Sequence, residues 1–301
     1  MIRPQRAPVS AALPGSLYSH DAPMIRPQWR HHWPLWLLAA VLLGVGLGGW
    51  IDRGERSAVG RLRPPSQPAN PMVPIQPPAR PRWVSPLVRS CESGDPEQRL
   101  RLEQRLRALR SSVATVQIHP TNYGQRFQRD VFGRRLDSRP QLVVLHETVY
   151  GIGSAINTFV TPHPSDNDQV SYHALIGQDG SVVQVLDPSK RAFGAGNSAF
   201  NGQWVMTNPQ VGGSVNNFAL HVSLETPLDG EDNAPTHSGY TPAQYDALAA
   251  LLAEWMARYP IPPEHITTHA HVDLGGERSD PRSFQWAELN TRLQNLGSLC
   301  G

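Results

Sequence analysis

The sequence predicts an α/β domain with a mixed central β-sheet flanked by helices, preceded by one transmembrane helix and a proline-rich linker. Three observations lead to this prediction. Residues 33–51 carry no charge, nine prolines lie between Pro64 and Pro86, and strand and helix patterns alternate in the rest of the chain. The 301 residues are predicted to divide into a basic tail (1–32), a membrane anchor (33–51), a linker (52–90) and a folded domain (91–301).

Charge is distributed unevenly along the chain. Residues 1–90 carry 11 arginines and three acids, whereas the remaining residues carry 16 basic and 22 acidic side chains. The excess of basic charge therefore belongs to the N-terminal part, and we expect no nucleic-acid binding by the acidic folded part. Only two cysteines are present, which excludes a cysteine-rich zinc module and a disulfide-dense miniprotein. We expect a monomer.

The uncharged run at residues 33–51 is long enough to cross a membrane, because about 20 apolar residues span a hydrocarbon core of roughly 30 Å. Trp33, Trp36 and Trp50 lie near its ends, as is typical of membrane interfaces. A cleaved signal peptide and a buried core helix are the alternatives; a signal peptide has a shorter apolar segment. Arginines flank the run on both sides, so charge does not predict its orientation.

The linker and the two cysteines mark the boundaries of the folded domain. Closely spaced prolines favour extended polyproline II, which acts as a semi-rigid spacer, although a docking segment for a proline-binding module is an alternative. Cys91 and Cys300 lie at the two ends of the region after the linker. Because domain termini are often close together, we expect a disulfide between them in an oxidising compartment; two free thiols are the alternative.

Within the domain, helix and strand patterns alternate. In chain order they are a helix at 95–110, a strand at 141–145, a hairpin of strands at 172–176 and 182–186, a strand at 218–225 and a helix at 241–259. The dipeptide Asp179-Gly180 between two β-rich runs is a hairpin signal. Thr241, followed by Pro242 and by Gln244 three residues later, is typical of a helix start.

Candidate metal ligands lie at the ends of these elements. His146 ends the first predicted strand, and the loop at 268–281 contains His269, His271 and several carboxylates. A catalytic zinc ion takes three protein ligands and leaves a fourth position to water. Two histidines and one aspartate meet that need, although a solvated surface loop of this composition is the alternative.

Six segments also follow one another in the order of a known family. They are 143–148 (Val-Val-Leu-His-Glu-Thr), 170–176 followed by Asp179-Gly180, 191–196 (Arg-Ala-Phe-Gly-Ala-Gly), 217–222, 240–245 and the loop 269–281. With these motifs, the chain from about residue 142 to residue 286 resembles the type 2 N-acetylmuramoyl-L-alanine amidases, a zinc fold shared with peptidoglycan recognition proteins and phage amidases. The resemblance covers about half of the chain.

The resemblance implies a bound Zn²⁺ and a set of site residues. The implied zinc ligands are His146, His269 and Asp280, with His271 as an alternative to His269. Arg278 falls where the family has Lys or Arg, and its charge would stabilise the oxyanion of the tetrahedral intermediate. Tyr172 matches a tyrosine that phage-type members place over the metal water; packing in the core is its alternative role.

The sequence departs from the family pattern at three positions. Many bacterial members carry a catalytic Glu where this chain has Ser223, and Glu225 lies two residues further on the same strand face. Glu225 is therefore a candidate proton shuttle, unless Tyr172 and the charge of Arg278 suffice, as in the phage type. In the family motif Arg-Ala-Trp-His-Ala-Gly, the Trp and the His are replaced here by Phe193 and Gly194, which implies an altered substrate cleft.

The resemblance implies a membrane-anchored zinc amidase that hydrolyses the amide bond between N-acetylmuramic acid and L-alanine in peptidoglycan, in cell-wall remodelling or recycling. Its partners would be peptidoglycan or muropeptides. Peptidoglycan lies outside the cytoplasmic membrane, so we expect residues 91–301 to be periplasmic or extracellular. A non-catalytic peptidoglycan-binding module of the same fold is the alternative, which Ser223 keeps open. A zinc peptidase of cell-wall peptides is a third possibility.

Overall fold

The computed structural model of the chain describes residues 74–92 and 94–300. The predicted tail, the predicted anchor at 33–51 and most of the predicted linker lie outside these residues. Within them, no helix is both long and apolar enough to cross a membrane. The described part corresponds to the predicted folded domain together with the last residues of the linker.

The order of helices and strands confirms the predicted α/β class. The helices are α1 (Pro96–Ser111), α2 (Gly151–Val160), α3 (Pro242–Arg258), α4 (His269–Val272) and α5 (Trp286–Asn295). The strands are β1 (Ala114–Thr115), β2 (Tyr123–Gln125), β3 (Leu142–Thr148), β4 (Ala174–Ile176), β5 (Val182–Gln184), β6 (Lys190–Ala192), β7 (Val205–Asn208), β8 (Gly212–Ser214), β9 (Ala219–Glu225) and β10 (Ile266–Thr268). Every helix and strand predicted within residues 91–301 is present, and β3 continues two residues past His146, its predicted end.

A mixed six-stranded sheet forms the centre of the domain, with strand order β1-β5-β4-β9-β3-β10. Strands β4, β9, β3 and β10 run parallel to one another, whereas β5 is antiparallel to β4 and closes the predicted hairpin. Gly180 occupies the hairpin turn with a positive φ of 77°, a conformation that glycine adopts without steric cost. Two antiparallel pairs, β2-β6 and β7-β8, lie outside this sheet.

The two faces of the sheet have different roles because side chains alternate along each strand. Val143 and Leu145 of β3 point to the face that packs against α3 and α5 in the main hydrophobic core. Leu142, Val144 and His146 point to the opposite face. There the β3–β9 register places His221 beside Val144 and Ser223 beside His146. His146 and His221 therefore lie on the face of the sheet that α3 does not cover.

Helix α3 begins as the sequence predicts. The Thr241 hydroxyl accepts a hydrogen bond from the Gln244 backbone N–H at 3.1 Å, and the Gln244 side chain accepts one from the Thr241 N–H at 3.0 Å. This reciprocal capping box satisfies two of the N–H groups that have no partner at a helix start. Leu248 and Leu252 are fully buried against the sheet, so the apolar stripe is core.

A disulfide between Cys91 and Cys300 joins the two ends of the domain, which confirms that expectation. The two cysteines are 209 residues apart in sequence. Beside the disulfide, the Ser90 N–H donates to the Leu299 carbonyl at 3.1 Å. The start and the end of the folded domain therefore lie side by side.

The last residues of the predicted linker pack on the domain. The Trp83 ring lies 4.6 Å from the His271 ring and 5.8 Å from the Trp286 ring, measured between centroids. The backbone N–H of Trp83 donates to the side-chain oxygen of Asn201 at 2.8 Å, and the Trp204 indole N–H donates to the Ile75 carbonyl at 3.2 Å. The segment from residue 75 to residue 90, which we call the docked arm, is thus held against the domain surface.

Candidate metal centre

The register of the parallel strands brings two predicted ligands together. Strand β10 pairs with β3 so that Thr268 lies opposite Leu145. The next residue on each strand path is then His269 on one side and His146 on the other. The Thr268 hydroxyl accepts a hydrogen bond from the His271 N–H at 3.2 Å and begins α4, which turns the chain at His269. Both histidines lie at the carboxyl edge of the sheet, where α/β folds place their binding sites.

Asp280 reaches the same point from the loop that follows α4. Its carbonyl accepts a hydrogen bond from the Ala270 N–H at 3.0 Å, which fixes the end of the loop against the short helix. The start of the loop is fixed by the Asp273 carboxylate, which accepts hydrogen bonds from the Glu277 and Arg278 N–H groups at 2.7 Å and 3.0 Å. The loop that carries Arg278 and Asp280 is therefore ordered by its own backbone contacts.

Three ligand atoms converge at this edge. One ligand atom each from His146, His269 and Asp280 lies within 4.8 Å of the other two. The Nδ1 atom of His269 is 3.0 Å from Oδ1 of Asp280. The Nδ1 atom of His146 is buried, is 3.3 Å from Oδ2 of Asp280 and makes no well-aligned hydrogen bond. Two imidazole nitrogens and one carboxylate oxygen, with a buried nitrogen that lacks a partner, fit a three-ligand zinc site with an open fourth position.

The protonation states at this cluster also suit a divalent cation. Burial, and then the charge of His269, lowers the pKa of His146 to about 4. Burial opposes the ionisation of Asp280, but the close imidazoles of His146 and His269 outweigh it and hold the pKa of that carboxyl below its ordinary value. A neutral imidazole and an ionised carboxylate are the forms that bind a metal.

Tyr172 and Arg278 both line the cleft beside the cluster. The Tyr172 ring stacks on the His146 ring at 4.4 Å between centroids, with an angle of 25° between the planes. Burial, and then the charge of Asp280, raises the pKa of Tyr172 above its ordinary value, so the hydroxyl remains a hydrogen-bond donor at neutral pH. Arg278 is exposed and faces the same space as His269 and Asp280.

The structure does not bring Glu225 to this cluster, contrary to the prediction that it is a proton shuttle. Its carboxylate accepts a hydrogen bond from the Gln178 N–H at 3.1 Å, and Glu225 is not among the described residues that line the cleft. The reason is its position at the end of β9, where the side chain meets the hairpin turn. Ser223 is fully buried, and its hydroxyl is 2.5 Å from the Thr148 hydroxyl.

A buried ion pair between Glu147 and Arg282 lies beside the ligand cluster. Glu147 follows His146 on β3, and its carboxylate binds the Arg282 guanidinium at 2.5 Å between Oε1 and Nε. The same carboxylate accepts hydrogen bonds from the backbone N–H of Arg282 at 2.9 Å and from the Tyr240 hydroxyl at 3.0 Å. Arg282 also donates to the carbonyls of Gly230, Asp232 and Ala234. These bonds join Glu147, the residue after His146, to Arg282, which lies two residues after Asp280.

Replacing Tyr240 by phenylalanine is expected to lower the free energy of unfolding by about 2 kcal/mol, because it removes a hydrogen bond to a buried carboxylate. Urea denaturation of the two proteins measures this. Tyr259→Phe is a matched control, since the Tyr259 hydroxyl makes no hydrogen bond to any residue that the structure describes. An equal loss in both variants would contradict a specific role for the Tyr240 hydroxyl.

Two residues of the cluster, His269 and Asp280, line a cleft of about 1200 Å³. Its walls include acidic and basic side chains, among them Asp166, Arg191 and Arg278, and the three aromatic rings of Phe127, Tyr172 and Phe193. The Arg191 guanidinium lies between the Phe127 and Phe193 rings, at 4.8 Å and 4.9 Å from their centroids. Burial lowers the pKa of Arg191, and its Nε has no hydrogen-bond partner among the described residues. Arg191 therefore contributes a positive charge to a cleft wall that also carries carboxylates, among them Asp166 and Glu277.

Three residues that shape this site, Arg191, Glu147 and His221, have no role that the sequence alone predicts. Arg191 lies in one of the six ordered motifs, and Glu147 directly follows a predicted ligand. His221 shares a strand face with Ser223, so strand alternation was the available signal. His221 contacts His146, 75 residues away, and Glu147 binds Arg282, 135 residues away, so no local pattern reveals these partners.

Fold and site together define a class of protein, an α/β domain with a candidate His-His-Asp metal centre in an open cleft. Comparisons narrow that class. Residues 136–283 match the family model described as N-acetylmuramoyl-L-alanine amidase. The 1,6-anhydro-N-acetylmuramyl-L-alanine amidase AmpD of Citrobacter freundii is 33% identical over 121 residues, which is 40% of this chain and 56% of that protein. The N-acetylmuramoyl-L-alanine amidase AmiD of Escherichia coli is 26% identical over 175 residues, 52% of this chain and 58% of that protein.

The region at 136–283 therefore belongs to the type 2 N-acetylmuramoyl-L-alanine amidase family, which confirms the resemblance seen in the sequence. The chain spans a little over half the length of these curated relatives. Among solved structures, a selenomethionine derivative of AmpD aligns with a TM-score of 0.45 and 25% sequence identity, covering 63% of this chain and 94% of that one. The family assignment depends on the sequence matches.

Proposed function

We propose that this chain is a zinc-dependent amidase that hydrolyses the amide bond between N-acetylmuramic acid and L-alanine in peptidoglycan fragments. The observation that carries the proposal is the convergence of His146, His269 and Asp280, with ligand atoms within 4.8 Å, beside an open cleft that His269 and Asp280 line. Membership of the amidase family supports it.

The residues around the cluster have complementary tasks in such a reaction. His146, His269 and Asp280 would hold the zinc ion, which would act as a Lewis acid and lower the pKa of a bound water toward 7. Arg278 places a positive charge at the cleft wall, where it stabilises the negative charge that develops on the amide oxygen. Tyr172, which remains protonated, is positioned by its stacking on His146 to donate a hydrogen bond to the same oxygen or to the departing amine.

The substrate class follows from the relatives, and one side chain of the cleft is compatible with it. A peptidoglycan stem peptide carries free carboxylates, and the half-buried guanidinium of Arg191 on the cleft wall is a suitable partner for one of them. The AmpD relatives are named for 1,6-anhydro-N-acetylmuramyl-L-alanine. We therefore propose that soluble anhydromuramyl peptides are the first substrates to assay, beside intact peptidoglycan.

The location of the domain is part of the proposal. A disulfide between Cys91 and Cys300 is stable in an oxidising compartment such as the periplasm. The uncharged run at residues 33–51 would serve as a single-pass membrane anchor, with the tail at 1–32 in the cytoplasm. The catalytic domain would then face peptidoglycan directly.

A non-catalytic peptidoglycan-binding module remains the second candidate, and one observation favours it. The position at which many bacterial family members carry a catalytic Glu is Ser223 here, and its hydroxyl is buried against Thr148 rather than directed to the cleft. The intact ligand set favours the enzyme, because a module that only binds has no need of a metal centre with an open position.

Metal removal distinguishes these candidates. We expect the full chain to contain one zinc ion per molecule, and to release stem peptides from anhydromuramyl peptides in a chromatographic assay. Dialysis against a chelator should abolish the release, and stoichiometric zinc should restore it while Mg²⁺ does not. Zinc binding without peptide release would indicate the binding module. A chain that takes up no zinc would contradict both the enzyme and the assigned site.

A Glu225→Gln variant is expected to retain peptide release within about threefold of the parent, because Glu225 bonds to the Gln178 backbone and not to the cleft. A general acid or base contributes about 10²- to 10⁴-fold, so a shuttle role would be visible in kcat/KM. Tyr172→Phe is the matched comparison, and we expect at least a tenfold loss. A hundredfold loss in Glu225→Gln would restore that residue as the proton shuttle.

A further inference from the structure

His221 is fully buried on β9, two residues before the buried Ser223. Its Nδ1 atom lies 3.0 Å from Nε2 of His146, on the side of the His146 ring that faces away from Asp280. The Nε2 atom of His221 has no hydrogen-bond partner among the described residues. The ring therefore makes one side-chain hydrogen bond, and that bond is to a proposed zinc ligand.

The chemistry of imidazole determines the direction of this bond when a metal is present. A neutral imidazole carries one proton on its two ring nitrogens. If Nδ1 of His146 faces the metal, its proton is on Nε2, and Nε2–H must donate to an acceptor. The Nδ1 lone pair of His221 is that acceptor. Histidine ligands commonly donate their second N–H to a carboxylate, a carbonyl or water, and such contacts fix the ring orientation and the tautomer.

The surroundings hold His221 in place for this task. The His221 backbone N–H donates to Nδ1 of His173 at 3.0 Å, and the His221 carbonyl accepts from the His173 N–H at 2.8 Å. The two rings stack with centroids 5.9 Å apart and 5° between their planes. His173 is also buried and contacts the Lys190 carbonyl through Nε2 at 3.3 Å. Both sides of His221 are thus constrained.

Gly194 supplies the space that the His221 ring occupies. A Cβ atom at residue 194 would lie 2.5 Å from Nδ1 and 2.6 Å from Cγ of His221, closer than real contacts allow. Any larger residue at position 194 would therefore displace the His221 ring from His146. The His221 ring can occupy its place beside His146 because residue 194 has no side chain.

We propose that His221 is the positioning residue of this metal centre: it accepts the Nε2–H hydrogen bond of His146, fixes the tautomer that presents Nδ1 to the metal, and depends on Gly194 for its place. The proposal rests on the zinc site proposed above. It concerns metal affinity, and it assigns His221 no contact with substrate.

Zinc affinity of the full chain, measured by competition with a chromophoric chelator, tests the proposal. His221→Leu fills the space without an acceptor and is expected to bind zinc 10- to 100-fold more weakly than the parent. His221→Asn retains an acceptor oxygen near the position of Nδ1 and is expected to recover most of the affinity. Thermal melting of the metal-free proteins is the control for folding, and we expect the Asn and Leu variants to melt at similar temperatures.

Gly194→Ala provides a test that leaves His221 intact. It is expected to weaken zinc binding about as much as His221→Leu does. In the double variant the two losses should not add, because both remove the same hydrogen bond. Additive losses would mean that Gly194 and His221 act separately, and would overturn the proposed dependence.

A spectroscopic readout requires no variant. In the zinc-loaded parent labelled with ¹⁵N-histidine, we expect His146 to carry its proton on Nε2, and His221 to have an unprotonated Nδ1. The opposite tautomers, or equal affinity of the Leu variant and the parent, would overturn the proposal while leaving the amidase intact. A parent that binds no zinc would instead refute the proposed function, and the role of His221 with it.

Discussion

Replacing His269 by alanine is expected to abolish stoichiometric zinc binding and to lower kcat/KM for anhydromuramyl peptides by at least about 10³-fold. That factor corresponds to about 4 kcal/mol of transition-state stabilisation. The reason is that His269 supplies one of three ligand atoms and also holds Asp280 through a contact of 3.0 Å. Without its imidazole, two ligands remain and the Asp280 carboxylate loses a partner. Elemental analysis and steady-state kinetics measure the two effects on the same preparations.

His271→Ala is the matched control for this experiment. His271 lies on the same short helix, two residues away, but its ring packs against Trp83 and Phe200 rather than against the ligand cluster. We expect the variant to keep one zinc ion per chain and to keep kcat/KM within a few-fold of the parent. Loss of zinc in His271→Ala with retention in His269→Ala would reverse the ligand assignment.

Removal of the Cys91–Cys300 disulfide is expected to lower the free energy of unfolding by up to about 5 kcal/mol. The cross-link joins residues 209 apart, and the entropy that it removes from the unfolded chain rises with the length of the closed loop. The Cys91→Ser/Cys300→Ser double variant, compared with the oxidised parent by chemical denaturation, measures the difference. The Ser90–Leu299 hydrogen bond remains and keeps the ends of the folded domain together.

The same double variant should keep its zinc content and its rate of peptide release under conditions where it is folded, since neither cysteine lines the cleft. The parent treated with reductant is the control, and it should unfold at the same denaturant concentration as the variant. A difference below 1 kcal/mol between the oxidised parent and the variant would contradict a stabilising role for the disulfide.

Elements with a local signal could be predicted from the sequence. The Thr241–Gln244 capping box and the Asp179-Gly180 turn involve residues at most three positions apart, and the structure contains both. The three candidate ligands were identified because they lie in ordered motifs, and the register of β3 and β10 then places His146 beside His269. Local chemistry and motif order therefore carried most of the fold and the candidate ligands.

Features that depend on contacts between distant residues could not be predicted. Glu225 lies on the strand face that alternation assigned to it, but the hairpin turn at Gln178 binds its carboxylate. Helix α2 has a glycine at its first position and no side-chain N-cap, so it lacks the signals by which a helix start is recognised. The Glu147–Arg282 ion pair joins residues 135 positions apart. Such partners are set by the tertiary fold.

The docked arm has a mechanical consequence. Tension on the chain upstream of residue 75 would meet the contacts of the arm in series, first at Trp204 and Asn201, then at the buried Leu87 and the Arg89–Glu264 ion pair, before it reaches Cys91. Beyond Cys91 the polypeptide is a covalently closed ring that ends at Cys300, so a pull from the upstream side cannot extend it. The load would therefore peel the arm first, and peeling would separate Trp83 from His271 on the helix that begins with His269. In this geometry the contacts of the docked arm bear an upstream load before the metal centre does.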